Sequence, residues 1–268
     1  MVVTFEIILL VFVLGTIIGI ISSLSGTGGG TMYVPLIVLL FLYPINIAIG
    51  TSTFVIMISS GAGFFSYIKN KETNLKLALI FASFSLLGSI LCTILFQLLF
   101  PISNEMLKIV FIIVSLLAGL LMLNKAKKEY SNVKNDKQFS SKEKRMTDFN
   151  YKKDLPKSIL LFILGGFVIN LLGIGGGIVN TPSLHLIIGF SIHNSVAIST
   201  SIIFFTSIYN SFYKIFLGVV EILIGIFIAL GSVLGAIIGA KYLKRVPKSF
   251  LQFFIAIVQI TLSILMFI

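Results

Sequence analysis

The chain has little charge, one cysteine and no tryptophan. Charged residues make up 11% of the 268 positions, hydrophobic residues make up 57%, and the mean hydropathy is +1.10. A soluble domain of this length could not hide so much apolar surface, so the composition excludes a soluble globular protein and predicts a membrane protein. The single cysteine, Cys92, excludes an intrachain disulfide and has no metal-ligating neighbours. We therefore expect no metal and no other cofactor.

Sequence motifs of catalysis are also missing. There is no Ser-His-Asp set, no HExxH and no GK[ST], and the GxGxxG pattern that would start at Gly26 fails because position 31 is threonine. We therefore predict that the protein is not an enzyme. No aspartate or glutamate lies deep in an apolar run, and buried carboxylates usually mark proton pathways in membrane proteins. This absence disfavours a carboxylate-based proton pump.

The positive charge is concentrated between the apolar runs. The net charge is +11, and residues 124–157 hold eleven of the twenty Lys and Arg residues. Loops rich in lysine face the cytoplasm, so the segments 69–76, 124–157 and 241–248 are predicted to be cytoplasmic and both termini to lie outside. The segments 100–105 and 214–221 are then external. We expect a lipid bilayer and no nucleic acid as a partner.

Ten apolar runs divide the chain into two halves of five. They lie at 5–24, 31–43, 46–66, 77–99, 104–123, 158–172, 178–190, 195–213, 222–240 and 249–268. This predicts an all-α polytopic membrane protein of two repeats, 1–123 and 158–268, joined by a basic linker at 124–157. Corresponding loops fall on opposite sides of the membrane, so the repeats are predicted to be inverted.

Two of the runs are too short to cross a bilayer upright. The runs 31–43 and 178–190 have thirteen residues each, which reach only about 20 Å as a helix. The first three runs of each half must cross an odd number of times in total. Either all three cross, or two form a re-entrant hairpin and one crosses fully, and the sequence leaves both possibilities open.

A glycine motif occurs once in each half. Residues 26–30 (GTGGG) precede Pro35, and residues 173–177 (GIGGG) precede Pro182, at an offset of 147. Each copy leads to a Ser/Thr cluster, at 51–53 and at 199–201. Aligning Ala48 with Ala197 raises the offset to 149, which implies two extra residues in the second copy. Three consecutive glycines disfavour a continuous helix, so each motif predicts a break followed by a short helix. The prolines are expected near its first turn, where a missing N–H costs little.

The predicted break gives a candidate site for a small anion. A helix N-terminus exposes unpaired N–H groups and partial positive charge, and two such ends would meet near the middle of the membrane. The neighbouring hydroxyl and amide groups can add neutral donors. The predicted substrate-binding residues are Gly28, Gly29, Gly30, Thr51, Ser52, Thr53, Gly175, Gly176, Gly177, Asn180, Ser199, Thr200 and Ser201.

Other polar residues near the breaks are weaker candidates. Asn170, Ser22, Ser23 and Ser25 flank the glycines and could instead satisfy freed backbone groups. Of the two histidines, His193 falls at an expected interface. His185 lies inside a short run, where it could relay a proton or serve only as a hydrogen-bonded structural residue.

The paired motifs resemble those of the TauE/SafE family of sulfite exporters. The resemblance rests on the glycines followed by Pro35 and Pro182 and on the stretches 48–52 and 197–201, and it covers essentially the whole chain. It implies transport of a small sulfur-containing anion such as sulfite, sulfoacetate or another sulfonate; some members are associated with other organic anions. The sequence departs from strict repetition where 180–182 (NTP) replaces 33–35 (YVP), so the two half-sites are not chemically equivalent.

These observations predict an anion exporter that works by alternating access, in which one repeat rocks against the other. Because a cell interior is electrically negative, an anion can leave without a coupled ion, driven by about 2.3 kcal/mol per charge per 100 mV. The alternatives are a gated anion channel, a carrier of a small carboxylate, and a membrane scaffold or enzyme subunit that transports nothing. The sequence gives no indication of the oligomeric state.

Overall fold

The computed structural model describes residues 5–100, 102–131, 146, 149, 151–242 and 248–267. Every regular element in these ranges is a helix, which confirms the predicted all-α class. In chain order the helices are α1 (Phe5–Ser25), α2 (Gly30–Phe41), α3 (Ile45–Lys69), α4 (Leu75–Thr93, continued by the π-helix Ile94–Leu99), α5 (Asn104–Ser131), α6 (Tyr151–Leu172), α7 (Gly177–Pro182, continued by the π-helix Ser183–Ile188), α8 (Ile192–Phe216), α9 (Ile222–Tyr242) and α10 (Lys248–Leu265).

Each of the ten apolar runs corresponds to one of these helices. Six described stretches, in α1, α3, α4, α5, α8 and α9, are long and apolar enough to cross a membrane. The outward side chains remain apolar: Leu91, Leu117 and Leu121 are 53%, 55% and 68% exposed. A surface of this kind is compatible with lipid and not with water. The predicted linker is partly helical, because α5 continues to Ser131 and α6 begins at Tyr151; residues 132–145, 147, 148 and 150 lie outside the described part.

The glycine motifs break the chain where the sequence predicted. Gly28 and Gly29 have φ of 88° and 76°, and Gly175 and Gly176 have φ of 97° and 67°, in the left-handed region that side chains with a Cβ avoid. Helices α1 and α6 therefore end before the motifs, and α2 and α7 begin at the last glycine of each.

The prolines lie deeper in the short helices than expected. Pro35 and Pro182 are the sixth residues of α2 and α7, beyond the first turn, so the prediction of a first-turn position was wrong. A proline inside a helix leaves the carbonyl four residues earlier without its usual donor. Helix α7 changes to π geometry immediately after Pro182, whereas α2 continues as an α-helix past Pro35.

The offset of 147 extends beyond the glycine motifs. Helix α3 starts at Ile45 and α8 at Ile192, both are 25 residues long, and both follow a residue with φ near −55° and ψ near 149°. The predicted insertion of two residues was therefore wrong: Ser52 corresponds to Ser199, and Thr53 to Thr200. Matching Ala48 with Ala197 produced the wrong register.

The helices pair mainly across the two halves. The most extensive contacts join α1 to α9. The next most extensive join α4 to α6, and the repeat relates these two pairs to each other because α1 corresponds to α6 and α4 to α9. A Cβ added at Gly15 would lie 2.5 Å from the Ile228 carbonyl oxygen, and one at Gly239 would lie 2.7 Å from that of Ile20, so α1 and α9 run parallel in close contact. On the other side, Phe81 of α4 stacks on Phe162 of α6 with ring centroids 4.4 Å apart.

The two central helices α3 and α8 pack antiparallel to each other. Ser211 Oγ donates to the Thr53 carbonyl oxygen at 3.0 Å, while a Cβ on Gly63 would lie 3.1 Å from Thr200 Cγ2. Residues early in α3 thus meet residues late in α8, and the reverse also holds. These helices run beside both glycine breaks and position the side chains described next.

Candidate functional site

The two glycine loops meet and form a buried junction. A Cβ on Gly28 would lie 3.0 Å from Gly175 Cα, and a Cβ on Gly175 would lie 2.9 Å from Gly28 Cα. A Cβ on Gly30 would overlap the Gly173 carbonyl oxygen, and one on Gly177 would overlap that of Gly26. Four of the six predicted glycines thus contact the opposite loop, whereas Gly29 and Gly176 face residues of their own half. We call residues 26–30 and 173–177 the glycine junction.

Both short helices begin at the glycine junction with free N–H groups. The N–H groups of Met32 and Tyr33 donate to the Gly29 carbonyl, and those of Val179 and Asn180 donate to the Gly176 carbonyl. For the N–H groups of the first two residues of each helix, no backbone acceptor occurs among the described residues. Neither helix start has a side-chain cap. The positive ends of two helix dipoles therefore lie in the protein interior, where they favour negative charge.

Two of the predicted hydroxyls reach across to the opposite glycine loop. Ser52 Oγ donates to the Gly173 carbonyl at 3.0 Å, and Ser199 Oγ donates to the Gly26 carbonyl at 3.1 Å. Thr181 also donates to the Gly26 carbonyl, at 3.2 Å. Ser52 and Ser199 thus hold the loops together by equivalent bonds from the two halves.

The remaining members of the Ser/Thr clusters point elsewhere. The hydroxyls of Thr53, Thr200 and Ser201 donate to carbonyls four residues earlier in their own helices. Thr51 Oγ1 accepts from the Glu221 N–H at 2.9 Å, away from the junction. Consecutive helical residues are about 100° apart, so three in a row cannot share one face.

Asn180 is the most poorly satisfied of the predicted residues. Its side chain is fully buried, and neither its Oδ1 nor its Nδ2 has a hydrogen-bond partner; the buried hydroxyl of Ser85 also has none. At an offset of 147, Tyr33 corresponds to Asn180 and Ser232 corresponds to Ser85. This second pair is hydrogen-bonded, because Tyr33 Oη donates to Ser232 Oγ at 2.9 Å. The side chain of Asn180 is shorter than that of Tyr33, and its amide atoms and the Ser85 hydroxyl are left without partners.

The weaker candidates have structural partners. The Ser23 carbonyl oxygen accepts a hydrogen bond from Tyr67 Oη at 2.7 Å, and Asn170 Nδ2 donates to the Ser89 carbonyl at 2.7 Å. His185 Nδ1 lies 2.8 Å from the Phe190 carbonyl oxygen, which fits its structural interpretation. Ser22 and His193 also have partners, and the side chain of Ser25 lies outside the described part.

A lysine that the sequence did not predict as a site residue lies in the protein interior. Lys214, assigned from the sequence to an external loop, lies in the last turn of α8 and is only 3% exposed. Its Nζ donates to the Asn170 carbonyl oxygen at 2.8 Å and to Thr53 Oγ1 at 3.0 Å. Among the described residues, no carboxylate pairs with it. The prediction failed because a charged residue near the end of an apolar run was taken to mark the end of the helix.

A cluster of polar side chains surrounds this lysine. Asn170 Nδ2 donates to Thr93 Oγ1 at 2.6 Å, and Asn210 Nδ2 donates to Ser89 Oγ at 3.2 Å. Both asparagines are buried, and the Oδ1 of each has no hydrogen-bond partner. We call Ser89, Thr93, Asn170, Asn210 and Lys214 the lysine cluster.

The set of residues related to the lysine cluster by the repeat has a different composition. At an offset of 147, Ala236, Ala240 and Gly63 replace Ser89, Thr93 and Asn210. Tyr67 replaces Lys214 and caps the last turn of α1 at Ser23, as Lys214 caps α6 at Asn170. The structure is therefore symmetric in its backbone contacts and asymmetric in its chemistry.

One sequence signal could have revealed the cluster. Ser207, Asn210, Ser211 and Lys214 follow the helical spacing i, i+3, i+4 and i+7, which places them along one face of α8. All four are buried. A polar stripe at this spacing within an apolar helix indicates a polar interior face.

The comparisons with known proteins agree with this architecture. The family model described as Sulfite exporter TauE/SafE matches residues 11–266. The chain belongs to the TauE/SafE family. A probable membrane transporter protein, MJ0441 of Methanocaldococcus jannaschii, is 31% identical over 74% of this chain and 69% of its own length. Another, YunE of Bacillus subtilis, is 31% identical over 73% of the chain and 74% of its length.

A third relative is more distant. The probable membrane transporter protein YdhB of Bacillus subtilis is 27% identical over 74% of the chain and 73% of its own length. No solved structure matches. As a member of the TauE/SafE family, the protein is a multi-pass membrane transporter, and the glycine junction is a candidate for its substrate site.

Proposed function

We propose that this TauE/SafE transporter exports a small sulfur-containing anion, such as sulfite or a sulfonate, through the glycine junction. The observation that carries the proposal is the meeting of two uncapped helix starts, α2 and α7, in the protein interior. Their free N–H groups and positive dipole ends favour an anion over a cation or a neutral molecule. The sulfur chemistry follows from the family alone.

The topology is part of the proposal. The two repeats have opposite orientations in the cell membrane, with residues 124–157 in the cytoplasm and both termini outside. The antiparallel packing of the equivalent helices α3 and α8 supports this inversion, because repeats of the same orientation would place equivalent helices parallel.

Alternating access then requires two bodies that move around the site. A movement of one whole repeat against the other would break the α1–α9 and α4–α6 contacts, which are the most extensive in the described structure. We therefore assign the moving bodies to these cross-half pairs rather than to the repeats. A cross-link between α1 and α9 should permit transport, whereas a cross-link between α3 and α8 should stop it.

Counterflow in proteoliposomes tests the proposed function. Purified protein is reconstituted with unlabelled sulfite, a sulfonate or a carboxylate inside, and the uptake of labelled sulfite from outside is measured against protein-free liposomes. We expect uptake that saturates and depends on internal sulfite or a sulfonate. Uptake that depends only on an internal carboxylate would reject the sulfur substrate, and a large non-saturating current would identify a channel.

The driving force can be measured in the same vesicles. Because no acidic residue lies deep in the apolar runs, we propose export down the membrane potential without a coupled proton. A potassium gradient with valinomycin sets the potential while the pH gradient is varied. A flux that disappears when the proton gradient collapses at constant potential would contradict uniport.

A further inference from the structure

We infer that Lys214 supplies the fixed positive charge that binds the transported anion, so that the lysine cluster forms the charged side of the substrate site. This inference rests on the proposed function, because it assumes that an anion is transported. It adds a residue that lies outside the glycine motifs and names the class of anion that the cluster fits.

The charge of Lys214 has no opposite charge beside it among the described residues. Lys214 is 3% exposed, and no carboxylate of the described residues pairs with it. A buried charge is stable only when it is paired or well solvated by hydrogen bonds. An ammonium group has three N–H donors, and the structure provides acceptors for two of them, the Asn170 carbonyl oxygen and Thr53 Oγ1. One donor and one unit of charge remain for a ligand.

Hydrogen bonds connect Lys214 to the glycine junction. Thr53, which accepts from Lys214, directly follows Ser52, which donates to the Gly173 carbonyl of the glycine junction. Asn170, the other acceptor, lies three residues before Gly173 in the last turn of α6. Lys214 therefore contacts the end of α6, which leads into the second glycine loop, and the part of α3 whose Ser52 donates to that loop.

The residue related to Lys214 by the repeat is the neutral Tyr67. Tyr67 caps the end of α1 by donating to the Ser23 carbonyl, as Lys214 caps α6. A neutral hydroxyl is thus sufficient for the capping role in the same backbone geometry. The charge of Lys214 is not needed for the fold, and binding an anion explains why it is there.

The remaining polar atoms of the cluster narrow the class of anion. Asn170 Oδ1 and Asn210 Oδ1 are buried acceptors without donors, and such atoms are costly to leave unpaired. An anion that also carries an O–H or N–H group can pair with Lys214 through its charged oxygen and donate to an amide oxygen. The cluster therefore fits a monovalent anion with at least one hydrogen-bond donor, such as a hydroxylated sulfonate.

The test compares the KM of counterflow in the wild type with that in Lys214→Gln and Lys214→Arg. Glutamine keeps a donor for the Asn170 carbonyl but removes the charge, and we expect KM to rise about tenfold or more because a charge-assisted hydrogen bond is lost. Arginine keeps the charge, and its KM should stay within about threefold of the wild-type value. Lys214→Met replaces Lys214→Gln if the latter is not monodisperse in detergent.

Two control variants separate charge from structure. Lys241 lies near the end of α9 with an exposed side chain, so Lys241→Gln removes the same charge from a solvated position and should leave KM unchanged. Tyr67→Phe removes the equivalent cap of α1 and should lower thermal stability with little effect on KM. A KM in Lys214→Gln equal to that of Lys241→Gln would overturn the inference.

The class of anion is tested on the wild-type protein by competition. 2-Hydroxyethanesulfonate and ethanesulfonate have the same charge and differ in one hydroxyl donor. We expect the hydroxylated anion to inhibit labelled uptake at a several-fold lower concentration, and equal inhibition would overturn the role of the two amide oxygens. A wild-type protein that transports no anion would overturn the proposed function itself. Transport by the wild type together with an unchanged KM in Lys214→Gln would overturn only the inference.

Discussion

The close contact of the two glycine loops predicts a large cost for a single methyl group. A Cβ on Gly30 would overlap the Gly173 carbonyl oxygen and lie 2.7 Å from Ile174 Cα, and a Cβ on Gly177 would lie 2.6 Å from Thr27 Cα. The atoms in the way belong to the backbone, so no side chain can rotate to make room. Overpacking commonly costs about 1–3 kcal/mol, and we expect Gly30→Ala and Gly177→Ala each to reach the upper end, about 3 kcal/mol.

The single cysteine provides the assay. Cys92 is 1% exposed, so a thiol-reactive fluorophore should label it only as the protein unfolds. A loss of about 3 kcal/mol corresponds to a decrease in Tm of about 6–12 °C on the scale of soluble domains of similar length. The labelling curve of each variant in detergent is compared with that of the wild type.

Gly218→Ala is the matched control. Gly218 has φ of 70°, but a Cβ there would meet nothing within 4 Å, so the substitution tests backbone strain without a clash. Left-handed strain costs about 1–2 kcal/mol, and we expect a smaller decrease in Tm than for either junction variant. If Gly30→Ala and Gly177→Ala melt at or above the temperature of Gly218→Ala, the loops are not packed as described.

Three further predictions concern the hydrogen bonds of the site. Ser52→Ala should lower Tm more than Ser199→Ala, because the Gly173 carbonyl loses its side-chain donor whereas the Gly26 carbonyl keeps Thr181; equal losses in the same thermal assay would contradict this reasoning. Asn180→Leu should leave Tm unchanged or raise it, because both amide atoms are unpaired, yet reduce counterflow; a lower Tm would show that Asn180 has partners. Tyr33→Phe should cost about 1 kcal/mol by removing the bond to Ser232, and a larger loss would indicate a role beyond that bond.

The sequence predicted the backbone of the site better than its chemistry. Triple glycines have a strong local effect on φ, so the breaks before α2 and α7 could be located from the residues alone. The directions of Thr51 and Ser201 could not, because they depend on the neighbouring helices against which α3 and α8 pack. Lys214 was misplaced because composition alone cannot distinguish a lysine at a membrane surface from one that turns inward to cap another helix.

The register error had a similar origin. Ala48 and Ala197 aligned by identity, whereas the structure matches Ser52 with Ser199 by the carbonyls that they bind. Short small-residue motifs recur within a helix at several offsets, so residue identity alone cannot fix their register. The equal lengths of α3 and α8 fix it in the structure.

The pairing of α1 with α9 also bears on how the chain folds during synthesis. Gly15 and Gly19 at the start of the chain pack against Ile228 and Ser232, more than two hundred residues later. Contacts so distant in sequence form late, because the intervening chain must be made before they can close. During synthesis, the face of α1 that packs against α9 is therefore expected to stay without its partner until α9 has been made. We therefore expect the protein to fold as a single unit despite its duplicated sequence, and a chain truncated before α9 to be unstable and degraded in the cell.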